Sequence, residues 1–148
     1  MVLLAALFAV PAYAAVQRST KPAAPAAQPI TVYRTATCGC CGKWVEHLKQ
    51  AGFDPTVHVV PNTDAAPPAK SVPAALRSCH TATLEGYTVE GHVPADVVRK
   101  LLKERPKVAG IAVPGMPAGS PGMESPNPVA YDVVAFDTAG RTSVFARK

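Results

Sequence analysis

The stretch ITVYRTATCGCCGKWVEHLKQAG, residues 30–52, contains a strand pattern, three clustered cysteines and a helix pattern in direct succession. Its first six residues are mostly β-branched or aromatic, which predicts a β-strand. From Gly42 to Ala51, Val45 and Leu48 share one helical face, and Gly52 is a helix stop signal. The three cysteines therefore lie at the junction between a strand and a helix.

Further strand signals follow this unit. The run TVHVV at residues 56–60 predicts a second strand, and residues 62–71 form a proline-rich, loop-like segment. A short helix is expected from Pro73 to Arg77. Residues 81–93, TATLEGYTVEGHV, contain two alternating runs on either side of Glu85-Gly86, which predicts a β-hairpin.

The clearest helix signal spans residues 94–105. Pro94 occupies a first-turn position where proline is allowed, an apolar stripe follows, and Pro106 ends the pattern. Residues 108–128 then form a glycine- and proline-rich loop for which we expect no regular structure of its own. A second hairpin, YDVVAFD and RTSVFAR, closes the chain around residues 138–140.

The N-terminal residues predict export. Residues 1–10 are apolar and uncharged, and Ala12-Tyr13-Ala14 fits a small-x-small cleavage pattern, so residues 1–14 are interpreted as a signal peptide cleaved after Ala14. The apolar run is too short to span a bilayer, and we expect no stable membrane insertion after cleavage. Residues 15–29 are rich in proline and alanine and are interpreted as a linker. The domain is expected to span residues 30–148.

The charge pattern does not favour nucleic-acid binding. The chain has 15 basic and 10 acidic residues, for a net charge of +5. The densest basic group, RKLLKERPK at residues 99–107, lies largely on the predicted amphipathic helix and has no interleaved aromatic residues. A solvated helix face explains it better than a nucleic-acid surface.

Cys38 and Cys41 are spaced as C-x-x-C at the start of the first predicted helix, where backbone N–H groups favour a thiolate. The element order β-α-β-α-β-β-α, with this motif after the first strand, is similar to that of thioredoxins and predicts an α/β, thioredoxin-like fold with a C-terminal Pro/Gly/Met loop and β-hairpin. Cys79 directly precedes the third predicted strand, which in that fold packs against the C-x-x-C turn. We therefore expect Cys79 to lie beside Cys38, Cys40 and Cys41.

Four adjacent thiolates repel one another and require a cation. Soft sulfur ligands suit Cu(I), zinc and iron–sulfur clusters. Zinc prefers four sulfurs at tetrahedral corners, whereas Cu(I) accepts two or three sulfurs and allows bridging, so a multinuclear Cu(I) site is favoured, with zinc as an alternative. A redox pair, with Cys38 as nucleophile and Cys41 as resolver, remains open. Two structural disulfides are a further alternative.

Additional ligands are expected near these cysteines. Met116 and Met123 lie in a repeated Pro-Gly-Met on the long loop, and thioethers are soft ligands that also serve as apolar plugs. His80 follows Cys79 and is the strongest histidine candidate, ahead of His92 at the end of the hairpin. Trp44 is expected to pack in the core or cover the site.

Five motifs in order, TCGCCGKW, SCHT, GYTVEGHVPADVVRKLL, AVPGMPAGSPGME and YDVVAFD, resemble the CopG-type periplasmic copper-resistance proteins, catalogued as metal-binding proteins of domain of unknown function 411. The resemblance covers residues 30–148. It implies a thioredoxin-like fold and a copper site built from Cys38, Cys40, Cys41 and Cys79. It also implies a periplasmic role in copper homeostasis, with copper ions, copper efflux proteins and periplasmic copper-handling proteins as partners. Cu(I)/Cu(II) redox activity is a further implication, but whether the protein is an enzyme stays open.

Overall fold

A computed structural model describes residues 27–148. The signal peptide predicted at residues 1–14 and all but the last three residues of the predicted linker lie outside the described residues. Between residues 27 and 148, no helix is long and apolar enough to cross a membrane.

The described chain is a mixed α/β fold with two α-helices and seven strands in one sheet. The strands are β1 Gln28–Arg34, β2 Phe53–Val59, β3 His80–Leu84, β4 Tyr87–Glu90, β5 Gly110–Ala112, β6 Asp132–Phe136 and β7 Thr142–Arg147. The helices are α1 Gly39–Gln50 and α2 Ala95–Glu104, and three short 3-10 helices span Thr63–Ala65, Pro67–Ser71 and Ala74–Leu76.

The sheet has the order β2-β1-β3-β4-β5-β6-β7. The pairs β1–β2 and β4–β5 are parallel, and each is connected through an α-helix, as parallel neighbours require. The remaining neighbours are antiparallel, and β3–β4 and β6–β7 are hairpins. This order brings the start of α1 and the start of β3 to the same end of the sheet, because β1 and β3 are antiparallel neighbours.

The structure differs from the sequence-based expectation at five places. Strand β1 begins two residues before Ile30, and α1 begins at Gly39 rather than Gly42. The proline-rich residues 62–71 contain two 3-10 helices, and the helix expected from Pro73 to Arg77 is a single 3-10 turn. The loop at residues 108–128 was expected to lack regular structure, which is wrong because β5 lies within it.

The hairpin between β3 and β4 was predicted correctly. Glu85 and Gly86 are its two turn residues, with φ angles of 45° and 86°. Two consecutive positive φ angles match the right-handed twist of the flanking strands. The turn sets the register of β3 against β4. On its other side β3 pairs with β1, where His80 lies opposite Arg34.

Apolar residues form a separate cluster on each face of the sheet. Both α-helices pack against one face, through residues such as Trp44, Leu48 and Leu101. The other face holds a smaller cluster in which Leu76 packs with Phe136. Neighbouring strand residues divide between the two clusters, as the alternation of side chains along a strand requires.

Replacing Gly110 of β5 with alanine should lower the free energy of unfolding by about 3 kcal/mol, because an added methyl group overpacks a closed site. A Cβ at Gly110 would overlap the Thr88 carbonyl and lie 2.6 Å from Cζ of the Phe136 ring. Denaturant unfolding measures the effect. Gly42→Ala is the matched control: it lies in α1 with no atom within 4 Å of the added Cβ. Gly42→Ala should instead raise the free energy of unfolding by about 0.5–1 kcal/mol, because alanine favours a helix more than glycine does. Equal effects of the two variants would contradict this packing.

Candidate metal centre

The four cysteines of the chain meet at one end of the sheet. Cys38 is the N-cap residue of α1, Cys40 and Cys41 lie in its first turn, and Cys79 directly precedes β3. The four sulfur atoms all lie within 4.8 Å of one another. The expected proximity of Cys79 to the other three cysteines is therefore confirmed.

The cysteines are in a partly oxidised state. Cys38 and Cys41 form a disulfide, whereas Cys40 and Cys79 are free. The free Cys40 sulfur lies 3.6 Å from the Cys38 sulfur, and the Cys41 sulfur lies 3.4 Å from the Cys79 carbonyl oxygen. This state contains one disulfide, whereas the alternative of two structural disulfides would also require Cys40 and Cys79 to be paired. All four sulfurs are available to a metal only after this disulfide is reduced.

The Cys79 sulfur lies in a polar but enclosed environment. It is 3.0 Å from Nε2 of His92, 3.3 Å from Nδ1 of His80 and 3.9 Å from the Ser78 hydroxyl. Burial, together with the adjacent Cys40, raises the pKa of the Cys79 thiol to about 12. Without a metal, Cys79 is therefore a neutral thiol at physiological pH, and a bound cation would favour the thiolate.

Two buried histidines adjoin this thiol. Burial, and next the nearby His92 ring, lower the pKa of His80 to about 3. The pKa of His92 is also lowered, again mainly by burial. Both imidazoles are consequently neutral at physiological pH, which is the form that binds metal. From the sequence, His92 ranked behind His80 as a candidate ligand, and its position at the end of the hairpin was the only signal for it.

The turn that carries Cys79 is anchored to β4. The carboxylate of Glu90 accepts hydrogen bonds from the Ser78 backbone N–H and the Thr81 hydroxyl, each at 2.6 Å. Burial raises the pKa of this carboxyl group. On the other side of the site, Arg34 donates to the Cys38 carbonyl oxygen at 3.4 Å, which holds the turn before α1. Both cysteine-bearing turns are thus fixed by side chains of neighbouring strands.

The long loop after β5 packs directly on the start of α1. A Cβ at Gly122, which has a φ of +88°, would lie 2.6 Å from the Cys40 carbonyl oxygen. Beside this contact is a cleft lined by Cys40, Met116 and Met123. Met116 is exposed, whereas Met123 is half-buried. The structure therefore places both predicted methionines in the same cleft as one of the cysteines.

Trp44 is a core residue beneath the site. It is fully buried, and its indole Nε1 donates a hydrogen bond to the Val93 carbonyl oxygen at 2.8 Å. Its ring centroid lies 4.4 Å from that of His80. These contacts confirm packing in the core, one of the two roles expected for this residue, and they connect α1 to the segment that carries His92.

Residues 76–123 match a family model described as "Protein of unknown function, DUF411". No curated protein matches the chain. Two solved structures, "Copper resistance protein copG- Form 1" and "Form 2", are each 46% identical to the chain with a TM-score of 0.76. Each match covers 82% of this chain, together with 97% of the Form 1 chain and 98% of the Form 2 chain. With such identity over nearly the whole length of the matched proteins, the chain belongs to the copper-resistance CopG family, also described as DUF411.

Proposed function

We propose that this protein is an exported copper-binding protein that uses Cys38, Cys40, Cys41 and Cys79 to bind Cu(I) in copper homeostasis and resistance. The observation that carries the proposal is the convergence of four sulfur atoms within 4.8 Å. Thiolates are soft ligands that select Cu(I), and sulfurs this close together can bridge several ions. The copper-resistance proteins with which the chain shares 46% identity support copper as the metal.

Further ligands extend this set in the proposal. Met116 and Met123 share a cleft with Cys40, and thioethers bind Cu(I) without having to lose a proton. His80 presents its neutral ring beside the Cys79 sulfur at 3.3 Å. We assign these three residues as secondary ligands of the copper site.

The disulfide gives the site a redox capacity. Oxidation of the Cys38 and Cys41 thiolates to the disulfide releases two electrons, and reduction of two Cu(II) ions to Cu(I) consumes two. Interconversion of Cu(I) and Cu(II) is therefore part of the proposal. The products are the disulfide and two Cu(I) ions, so the exchange needs no other reactant.

The cellular setting is proposed from the N-terminal residues. A signal peptide cleaved after Ala14 would deliver the protein to the periplasm, where copper efflux and copper-handling proteins would exchange Cu(I) with it.

We also propose that the unit from β1 to α2 is thioredoxin-like. The strand order β2-β1-β3-β4 and the C-x-x-C motif at the start of α1 support this assignment.

Reduction of the disulfide should strengthen Cu(I) binding by about 100-fold or more, because it frees two further thiolate ligands. The measurement is anaerobic Cu(I) titration of the reduced and the disulfide form against a chromophoric chelator. The reduced form should show thiolate-to-copper charge-transfer absorbance and bind several Cu(I) ions. Equal affinity of the two forms would contradict a site made of four cysteines. Displacement of Cu(I) by stoichiometric Zn(II) would instead favour the zinc alternative.

A second candidate function is thiol–disulfide exchange by Cys38 and Cys41. The observation in its favour is that these two residues form a disulfide at the start of a helix. This function predicts that the metal-free protein reduces a disulfide substrate or oxidises a dithiol substrate. It also predicts retained activity in Cys40→Ser and Cys79→Ser. Turnover that requires copper would exclude it.

A further inference from the structure

Arg34 brings a positive charge to the cysteine-bearing turn. It is the last residue of β1, and the segment with Cys38, Cys40 and Cys41 follows it. Its Nη1 atom donates to the carbonyl oxygens of Thr35, at 3.0 Å, and Cys38, at 3.4 Å. The guanidinium group therefore lies against the backbone of the first of the four cysteines.

The charge of Arg34 has no carboxylate partner among the residues that the structure describes. None of the ion pairs found between residues 27 and 148 includes it. Its Nε atom is buried and has no hydrogen-bond partner in the same part of the chain. Arginine stays charged in proteins, and burying a charge is costly unless it is paired. A half-buried cation without a carboxylate partner thus adjoins the cysteines.

This charge acts on both segments that carry cysteines. Arg34 lies opposite His80 in the pairing of β1 with β3, and His80 directly follows Cys79. Burial lowers the pKa of His80 most, followed by the His92 ring, and the charge of Arg34 lowers it further. Arg34 is therefore next to the turn before α1 and also next to the start of β3.

The reduced cysteines supply a counter-charge for Arg34. Reduction of the Cys38–Cys41 disulfide adds two electrons to the site, and an adjacent arginine favours the thiolate over the thiol. In the disulfide the same two sulfurs are neutral. The attraction to Arg34 therefore belongs to the reduced state alone, so it shifts the equilibrium between the two states.

We propose that Arg34 compensates the negative charge of the reduced cysteines and thereby raises the midpoint potential of the Cys38–Cys41 disulfide. This inference rests on the proposed function, in which these thiolates reduce Cu(II). It deepens that function by naming the residue that sets their reducing power. Thiolates that are stabilised in this way are weaker reductants, so Arg34 keeps the sulfurs in the reduced state that a soft metal ion requires.

The test equilibrates the metal-free full chain with mixtures of reduced and oxidised glutathione in the absence of oxygen. Glutathione reduces the protein disulfide and is itself oxidised to its own disulfide. Differential alkylation followed by fragment mass spectrometry measures the reduced fraction of Cys38 and Cys41. In Arg34→Gln the equilibrium constant for reduction should fall about tenfold, which corresponds to a midpoint potential about 30 mV lower. Arg34→Met, a second uncharged variant, should show the same shift.

Arg34→Lys separates the charge from the hydrogen bonds. Lysine keeps the positive charge but not the planar fork of donors, so the equilibrium constant should stay within about threefold of the wild-type value. A purely structural role would give Arg34→Lys and Arg34→Gln similar losses. Arg99→Gln is the matched control, because it removes the same charge from an exposed position beside Gly52, at the opposite end of α1 from the cysteines. Its potential should not change.

Two outcomes would overturn the inference. One is an unchanged potential in the uncharged variants, and the other is a shift in Arg34→Lys as large as that in Arg34→Gln. If neither uncharged variant folds, Arg34→Lys decides, since a loss of about tenfold in that variant contradicts compensation by charge. Anaerobic Cu(I) titration of the reduced wild-type protein is the independent arm. Strong Cu(I) binding with unchanged potentials rejects the role of Arg34 alone, whereas absent Cu(I) binding rejects the proposed function itself.

Discussion

Replacement of Cys79 with serine should weaken Cu(I) binding to the reduced protein by about 100-fold or more, because changes outside the ligand set already cost 10–100-fold. Cys79 is the sulfur that comes from outside the 38–41 turn, so it closes the site from the side of β3. A serine hydroxyl has similar size but is a hard donor that Cu(I) does not prefer. Competition with a chromophoric Cu(I) chelator under anaerobic conditions measures the change.

Ser78→Ala is the control for this substitution. It removes a hydroxyl from the same turn, with its hydrogen bond to the Gly115 carbonyl oxygen and its 3.9 Å contact with the Cys79 sulfur, but leaves all four sulfurs in place. Cu(I) affinity should fall by about tenfold in this variant, which is less than in Cys79→Ser. Undiminished affinity in Cys79→Ser, or an equal loss in both variants, would contradict a direct role for the Cys79 sulfur.

Replacement of Trp44 with alanine should lower the free energy of unfolding by about 3–5 kcal/mol, because it removes the largest side chain of the core. Trp44 is fully buried against His80 and donates a hydrogen bond to Val93. Trp44→Phe keeps an aromatic ring but loses that bond, which should cost about 1–3 kcal/mol. Denaturant unfolding of both variants, with the Cys38–Cys41 disulfide intact, measures the difference. A loss below about 1 kcal/mol in Trp44→Ala would show that the ring is not well packed.

Much of the fold could be predicted from local patterns. The alternation around Glu85-Gly86 and the apolar stripe between Pro94 and Pro106 have one main interpretation each, and both elements occur in the structure. Strand β5 could not be predicted because three residues are too few to show the alternation of apolar and polar side chains that marks a strand. Its pairing also depends on β4 and β6, which are distant in the sequence or not adjacent to it. The start of α1 was placed too late because Gly39 and Gly42 weaken the helix signal around the cysteines.

The site shows the same division between local and distant signals. The element order placed Cys79 beside the C-x-x-C turn, which the structure confirms. The sequence could not single out His92, because its orientation depends on the carbonyl of Pro121, 29 residues further along the chain. The pairing of Cys38 with Cys41 was likewise one of several alternatives, since neighbouring cysteines at a helix start allow more than one partner.

The most direct test of the account is copper X-ray absorption on the reduced protein loaded anaerobically with Cu(I). The account predicts a first shell dominated by sulfur, with scattering between neighbouring copper ions, and a clear loss of sulfur ligands in Cys79→Ser. A first shell made mainly of nitrogen or oxygen, or a sulfur shell unaffected by that substitution, would contradict the claim that the four cysteines bind copper together.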